Sequence, residues 1–77
     1  VHFFTMISDK IGQLIRARRK FLRLRQRDLA ELAGVTLRGL TEIENGRGNP
    51  TLLQLSKIVA VLGLEVTLSP KASDAQG

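Results

Sequence analysis

The stretch Gln26-Arg27-Asp28-Leu29-Ala30-Glu31-Leu32-Ala33-Gly34-Val35-Thr36-Leu37-Arg38-Gly39-Leu40-Thr41-Glu42-Ile43-Glu44-Asn45-Gly46 decides how this chain folds. In its first half Leu29, Leu32 and Ala33 share one face at helical spacing, so a short helix is expected from Gln26 to Ala33. Gly34 ends that helix, because glycine takes up the left-handed backbone conformation at little steric cost. Val35 follows as a buried hinge. Thr36 is a good N-cap for the next helix. That helix, Leu37 to Asn45, is expected to turn Leu40 and Ile43 inward and Leu37, Arg38, Thr41 and Glu42 largely outward. Asn45-Gly46 is its stop signal.

Working outward from this stretch, Ser8 or Asp9 can cap a preceding helix of about residues 9–21, with Ile11, Leu14, Ile15 and Leu22 at near-helical spacing. Leu22-Arg23-Leu24-Arg25 is a short connection. The opening Val1-His2-Phe3-Phe4-Thr5-Met6-Ile7 is apolar but lacks the basic start of a signal peptide, and reads as a peripheral arm or a short strand. On the other side, Arg47-Gly48-Asn49-Pro50 is a polar loop. Thr51 caps a fourth helix, striped by Leu52, Leu55, Ile58, Val59 and Leu62 and ended by Gly63. Leu64, Glu65, Val66, Thr67 and Leu68 then alternate apolar and polar, which is a strand pattern. A lone strand leaves its backbone donors and acceptors unpaired. It needs the N-terminal arm, a symmetry-related copy or a partner protein, and a two-fold dimer is the simplest solution, the alternative being an edge-packed extended tail. The expected architecture is therefore all-α, a four-helix bundle with a short C-terminal β-strand used in dimerisation. One domain, residues 8–69, lies between an arm (1–7) and a frayed tail (70–77).

Composition narrows the function classes. Seventy-seven residues make one small domain. There is no cysteine, hence no disulfide framework or thiolate metal site. A secreted domain this small usually needs such staples, so a cytoplasmic location is expected. No apolar run approaches the roughly 20 residues of a membrane span. The one histidine, His2, lies in the arm, and no carboxylate pair or glycine-rich phosphate loop is present, so neither an enzyme nor a cofactor is expected. The formal charge is +5. Seven of the twelve Lys and Arg residues (Arg16, Arg18, Arg19, Lys20, Arg23, Arg25 and Arg27) fall in one stretch without an acidic residue. Such a run is either a solvated helix face or a polyanion-binding surface. Its density favours nucleic acid, which relieves the mutual repulsion by counterion release.

Two short helices joined by a tight glycine turn have the outline of a helix-turn-helix, an outline that generic helical hairpins share. The string Gln26-x-x-Leu29-Ala30-x-x-Ala33-Gly34-Val35-Thr36, followed by Leu40-x-x-Ile43-Glu44-Asn45-Gly46, is more particular. It resembles the Cro/repressor-type (xenobiotic-response-element-like, XRE) helix-turn-helix family over about residues 8–63, which implies a lambda-repressor-like fold. Gly48-Asn49-Pro50-Thr51 and Leu62-Gly63-Leu64-Glu65-Val66-Thr67-Leu68 resemble the subset typified by HipB antitoxins, in which a strand pairs across a dimer.

The resemblance implies a set of roles. Glu44 pairs with Arg19 of the first helix. Gln26 contacts a phosphate, aided by the helix dipole. Arg25 stands where the family prefers a Ser or Thr cap, and Arg23 where it usually has glycine, which puts the local turn geometry in doubt. Ala30 and Gly34 are small to let the two helices approach. Leu37 is placed to pack on a thymine methyl and Arg38 to bond guanine or a phosphate. Thr41 and Glu42 lie one turn on, and Thr36 stands at the helix start. Gly39 permits close approach to the DNA backbone. Asn45 and Arg47 hold the far phosphates, and Asn49 either does the same or is simply a surface-loop residue. The implied partners are a palindromic double-stranded operator, a second copy of the chain and, for an antitoxin repressing its own operon, a HipA-like kinase toxin. A stand-alone or phage-type regulator would share every DNA-contact residue. A protein-interaction module without DNA binding is the alternative from another class.

Overall fold

The computed structural model describes residues 2–70, with side chains described from Ile7 onward. Four helices form an all-α bundle: α1 (His2–Phe21), α2 (Gln26–Ala33), α3 (Leu37–Glu44) and α4 (Leu52–Val61). All four supply the core, with Ile15 from α1, Leu29, Ala30 and Ala33 from α2, Leu40 and Ile43 from α3, and Ile58, Val59 and the adjoining Leu62 from α4. Helix α3 is held between α1 and α2, while α2 also packs on α4.

The ends of the short helices are closed by local chemistry. Gly34 lies at φ 72°, and the Val35 N–H donates to the Ala30 carbonyl at 3.0 Å, satisfying the end of α2. Thr36 caps α3 by accepting the Gly39 N–H at 3.0 Å. Asn45 is the C-cap of α3, and Gly46 follows at φ 74°. Thr51 and Gln54 form a reciprocal capping box on α4, with bonds of 3.1 and 2.9 Å. At the other end of α4 the Arg18 Nε donates to the Leu62 carbonyl at 2.9 Å.

The turn between α1 and α2 keeps a left-handed residue without glycine: Arg23 lies at φ 60°. That conformation costs an ordinary L-residue about 1–2 kcal/mol. Glycine would remove the strain while adding about 0.5–1 kcal/mol of unfolded-chain entropy. Arg23→Gly is therefore expected to stabilise the fold by about 0.5–1 kcal/mol, a rise in Tm of a few degrees in thermal denaturation. A fall in Tm would mean that the arginine side chain contributes more than the strain costs.

Three sequence expectations require correction. No β-strand occurs among the described residues, so Leu64–Leu68 is not a dimerisation strand. The chain leaves α4 through Gly63 at φ 75°, with the Leu64 N–H bonded back to the Val59 carbonyl at 2.9 Å. From there residues 64–68, without regular secondary structure, line an apolar groove together with α1 and α4. Alternation within the segment carries no information about a ladder partner, and its apolar residues Leu64, Val66 and Leu68 are all exposed.

Second, α1 begins at His2, so residues 2–7, read as arm or strand, continue the helix; Val1 and the tail residues 71–77 lie outside the described residues. Third, four leucines assigned to apolar faces are exposed: Leu14 (66%), Leu22 (38%), Leu32 (63%) and Leu52 (65%). The buried arc of α2 is Leu29-Ala30-Ala33. Leu32 is turned outside that arc, and Gly34, expected to be small for a close helix approach, is exposed with nothing within 4 Å of where a Cβ would lie; what requires glycine there is its φ of 72°. Val35, the expected buried hinge, is half-buried.

Gly12 had no assigned role in the sequence, yet it is buried where α1 crosses the end of α3. A Cβ there would run into the Ile43 carbonyl oxygen and lie 2.8 Å from that of Glu44.

Candidate nucleic-acid interface

Helix α3 offers its outer face near its N-terminus. Thr36, Leu37 and Arg38 are exposed, and Thr41 and Glu42, one turn on, are half-buried. Asn45, Arg47 and Asn49 are exposed in and after the α3 C-cap. The Arg47 N–H donates to the Glu42 carbonyl at 2.8 Å, which folds this loop back against the helix. Gly39 sits on the flank of α3, where it borders two grooves shared with Gln54 of α4.

Behind this face lies a buried polar chain. Arg19 Nε donates to Glu44 Oε2 at 2.7 Å and its Nη2 donates to Oε1 at 3.0 Å, a two-pronged ion pair between α1 and α3. The side chains are only 9% and 1% exposed. Arg19 Nη1 also donates to the Leu24 carbonyl at 2.8 Å, tying down the α1–α2 connection. Glu44 Oε1 accepts a further bond from Gln26 Nε2 at 3.0 Å. Gln26 Oε1 lies 3.3 Å from the Thr41 hydroxyl, whose single hydrogen has a shorter bond, 2.9 Å, to the Leu37 carbonyl. No buried side-chain nitrogen or oxygen among the described residues lacks a partner.

The start of α2 is closed in an unusual way. Arg25 occupies the N-cap, but a guanidinium only donates and cannot cap the helix amides. Asp28 supplies the other half of a capping box: its Oδ2 accepts the Arg25 N–H at 3.0 Å. The two side chains also pair, Nε to Oδ2 at 3.1 Å and Nη2 to Oδ1 at 3.2 Å. The side-chain hydrogen bond from Arg25, then the backbone one, holds the Asp28 carboxyl below its ordinary range, with the charges of Arg25 and Arg27 adding. The same contact raises Arg25. The pair is solvent-accessible and hence weak, so a phosphate can compete for the guanidinium.

The basic run thus divides. Arg19 faces inward, Arg18 caps α4 and lies 5.1 Å over the Phe21 ring, and Arg25 holds Asp28. Arg16, Lys20, Arg23 and Arg27 are exposed. Arg18 was missed in the sequence, although its spacing from Ile11 and Ile15 places it on the inward stripe of α1.

A helix-turn-helix family profile matches residues 15–68, which takes in the last third of α1 and everything from there through residues 64–68. The chain belongs to the helix-turn-helix family. It is 36% identical over 61 residues to the ImmF control region 10 kDa protein of Bacillus phage phi105, covering 79% of this chain and 68% of that protein. It is 40% identical over 57 residues to an immunity repressor protein of the same phage, covering 74% of this chain but 40% of the repressor. An uncharacterised helix-turn-helix-type transcriptional regulator of Methanothermobacter thermautotrophicus is 44% identical over 52 residues, 68% of this chain and 75% of that protein. The chain is accordingly an XRE-type, DNA-binding transcriptional-regulator domain. Among the described residues no cluster of His, Cys, Asp and Glu is suited to a metal ion, and no helix is long and apolar enough to cross a membrane.

Proposed function

We propose that this helix-turn-helix domain is a sequence-specific transcriptional repressor of the stand-alone or phage type, acting as a homodimer on a palindromic operator. The observation that carries the reading is the exposed N-terminal face of α3, with Arg38 at its centre, beside exposed cations on the approach to α2. Leu37, Arg38, Thr41 and Glu42 read base edges, while Arg25, Gln26, Thr36, Asn45 and Arg47 hold phosphates. The similarity to an immunity repressor supports repression as the outcome of binding. An apolar groove of about 420 Å³ between α1, α4 and residues 64–68 is lined by no residue of α2 or α3. Two copies meeting there would leave both recognition helices free.

The narrower reading, an antitoxin with a HipA-like kinase toxin as partner, drew on an expected C-terminal strand. With residues 64–68 unpaired it loses the feature that set it apart, and the phage relatives favour the repressor.

The test is selection of bound sites from random duplex DNA with wild type and Arg38→Ala, combined with a salt titration. Arg38→Ala is expected to lose preference at one base position in each half-site, with a cost of about 1–3 kcal/mol. Uniform weakening across all sites would make Arg38 a phosphate contact. Affinity for duplex DNA that did not fall with salt would sink the DNA reading.

A further inference from the structure

We propose that Glu44 is a positioning residue for DNA binding: through Gln26 it fixes the direction in which the start of α2 presents a hydrogen-bond donor. The inference rests on the reading of Gln26 as a phosphate contact. Glu44 Oε1 receives Arg19 Nη2 and Gln26 Nε2, both at 3.0 Å. An ionised carboxylate only accepts, so the glutamine amide must turn its nitrogen, never its oxygen, toward Glu44. The Thr41 hydroxyl lies at the other end of the amide, 3.3 Å from Oε1, but its hydrogen is better used by the Leu37 carbonyl at 2.9 Å. Orientation is therefore set from the Glu44 side.

One Nε2 hydrogen is consumed in this bond. The second has no acceptor among the described residues and remains for an outside one, at the positive end of the α2 dipole. A side chain held this way before DNA arrives loses less rotamer freedom on binding than a free glutamine does. Arg19 keeps the carboxylate in place, with two donors on its two oxygens. The Gln26 bond also satisfies one of the lone pairs that the arginine leaves free on the buried carboxylate. This third partner is a residue at the helix start that faces the polyanion.

The experiment is a cycle of duplex-DNA affinities for Gln26 and Gln26→Ala, measured in the wild-type background and in Arg19→Met/Glu44→Leu. The second background replaces the buried charges with apolar groups, a change that often leaves folding intact. In wild type, Gln26→Ala is expected to weaken binding about tenfold, the scale of one charge-assisted hydrogen bond. In the apolar background the same change is expected to cost less than about twofold, because an untethered glutamine has already lost its advantage. An equal tenfold loss in both backgrounds, or none in wild type, overturns the positioning role while leaving the DNA reading intact. Wild-type binding that is insensitive to salt overturns the DNA reading instead.

Should the apolar background not fold, ¹⁵N relaxation of side-chain amides in the free wild-type protein decides the matter. Gln26 is expected to show an order parameter near the rigid-backbone value of about 0.85, with exposed Gln13 below about 0.6. A Gln26 as mobile as Gln13 overturns the proposal.

Discussion

Glu44→Ala is expected to remove about 3–5 kcal/mol of folding stability, because it strands the Arg19 guanidinium inside the bundle. Arg19 keeps one bond, to the Leu24 carbonyl at 2.8 Å, but loses its counter-charge in a position where its side chain is only 9% exposed. A domain of this size has about 5–15 kcal/mol in total at most, so the variant should be largely unfolded at moderate temperature. Arg19→Ala is expected to do similar damage from the other side, leaving the carboxylate with the Gln26 amide alone. The mechanism predicts a further result that simple loss of contact does not. Removing both charges together, as in Arg19→Met/Glu44→Leu, should recover most of the lost stability, since the penalty comes from the unpaired charge and not from the absence of the pair. Urea denaturation of the single and double variants checks this directly. If Glu44→Ala cost less than about 1 kcal/mol, the pair would be behaving as an exposed one.

What the sequence made legible follows the range of the interactions involved. Gln26–Ala33, the Gly34 stop, the Thr36 cap and the start of α3 are set by bonds between residues at most five apart, so their signals lie side by side in the chain. Leu29, Leu40 and Ile43 were readable as core for the same reason: periodicity is a local property. The N-terminal boundary of α1 was not readable, because Ser8 and Asp9 are good caps wherever they occur, and the helix passes through them. The C-terminal segment was misread because alternation of apolar and polar residues is a local pattern that does not show whether a ladder partner exists. In the site, outward-facing Leu37 and Arg38 were legible from helical phase, whereas the partnership of Arg19 and Glu44 came only through family resemblance. The Gln26–Glu44 bond joins residues 18 apart on different helices, and nothing in either segment announces it. Arg18 shows the same limit in reverse. As one cation in a basic run it looked like a solvated or phosphate-facing charge; helical phase puts it on the inward stripe, but its role as a cap depends on the Leu62 carbonyl, 44 residues away in the chain.

Gly12→Ala is the other change expected to have a large effect, and its sign is opposite to what helix propensity suggests. In an isolated helix the substitution would gain about 1 kcal/mol. In this bundle the added methyl would strike the Ile43 carbonyl oxygen and stand 2.8 Å from the Glu44 carbonyl oxygen. Both are backbone atoms, so no rotamer change relieves the collision; α1 must move away from α3 as a body. Overpacking of a close interface costs about 1–3 kcal/mol, and here the displacement also pulls Arg19, which lies two turns along the same helix, away from Glu44. The expected net loss is about 2 kcal/mol, a fall in Tm on the order of 10 °C. The losses from Gly12→Ala and Glu44→Ala should then fall short of additivity when combined, because each loosens the same α1–α3 contact. Additive losses would show that Gly12 and the ion pair act on separate parts of the interface. A rise in Tm for Gly12→Ala alone would show that α1 does not rest on the α3 carbonyls at all.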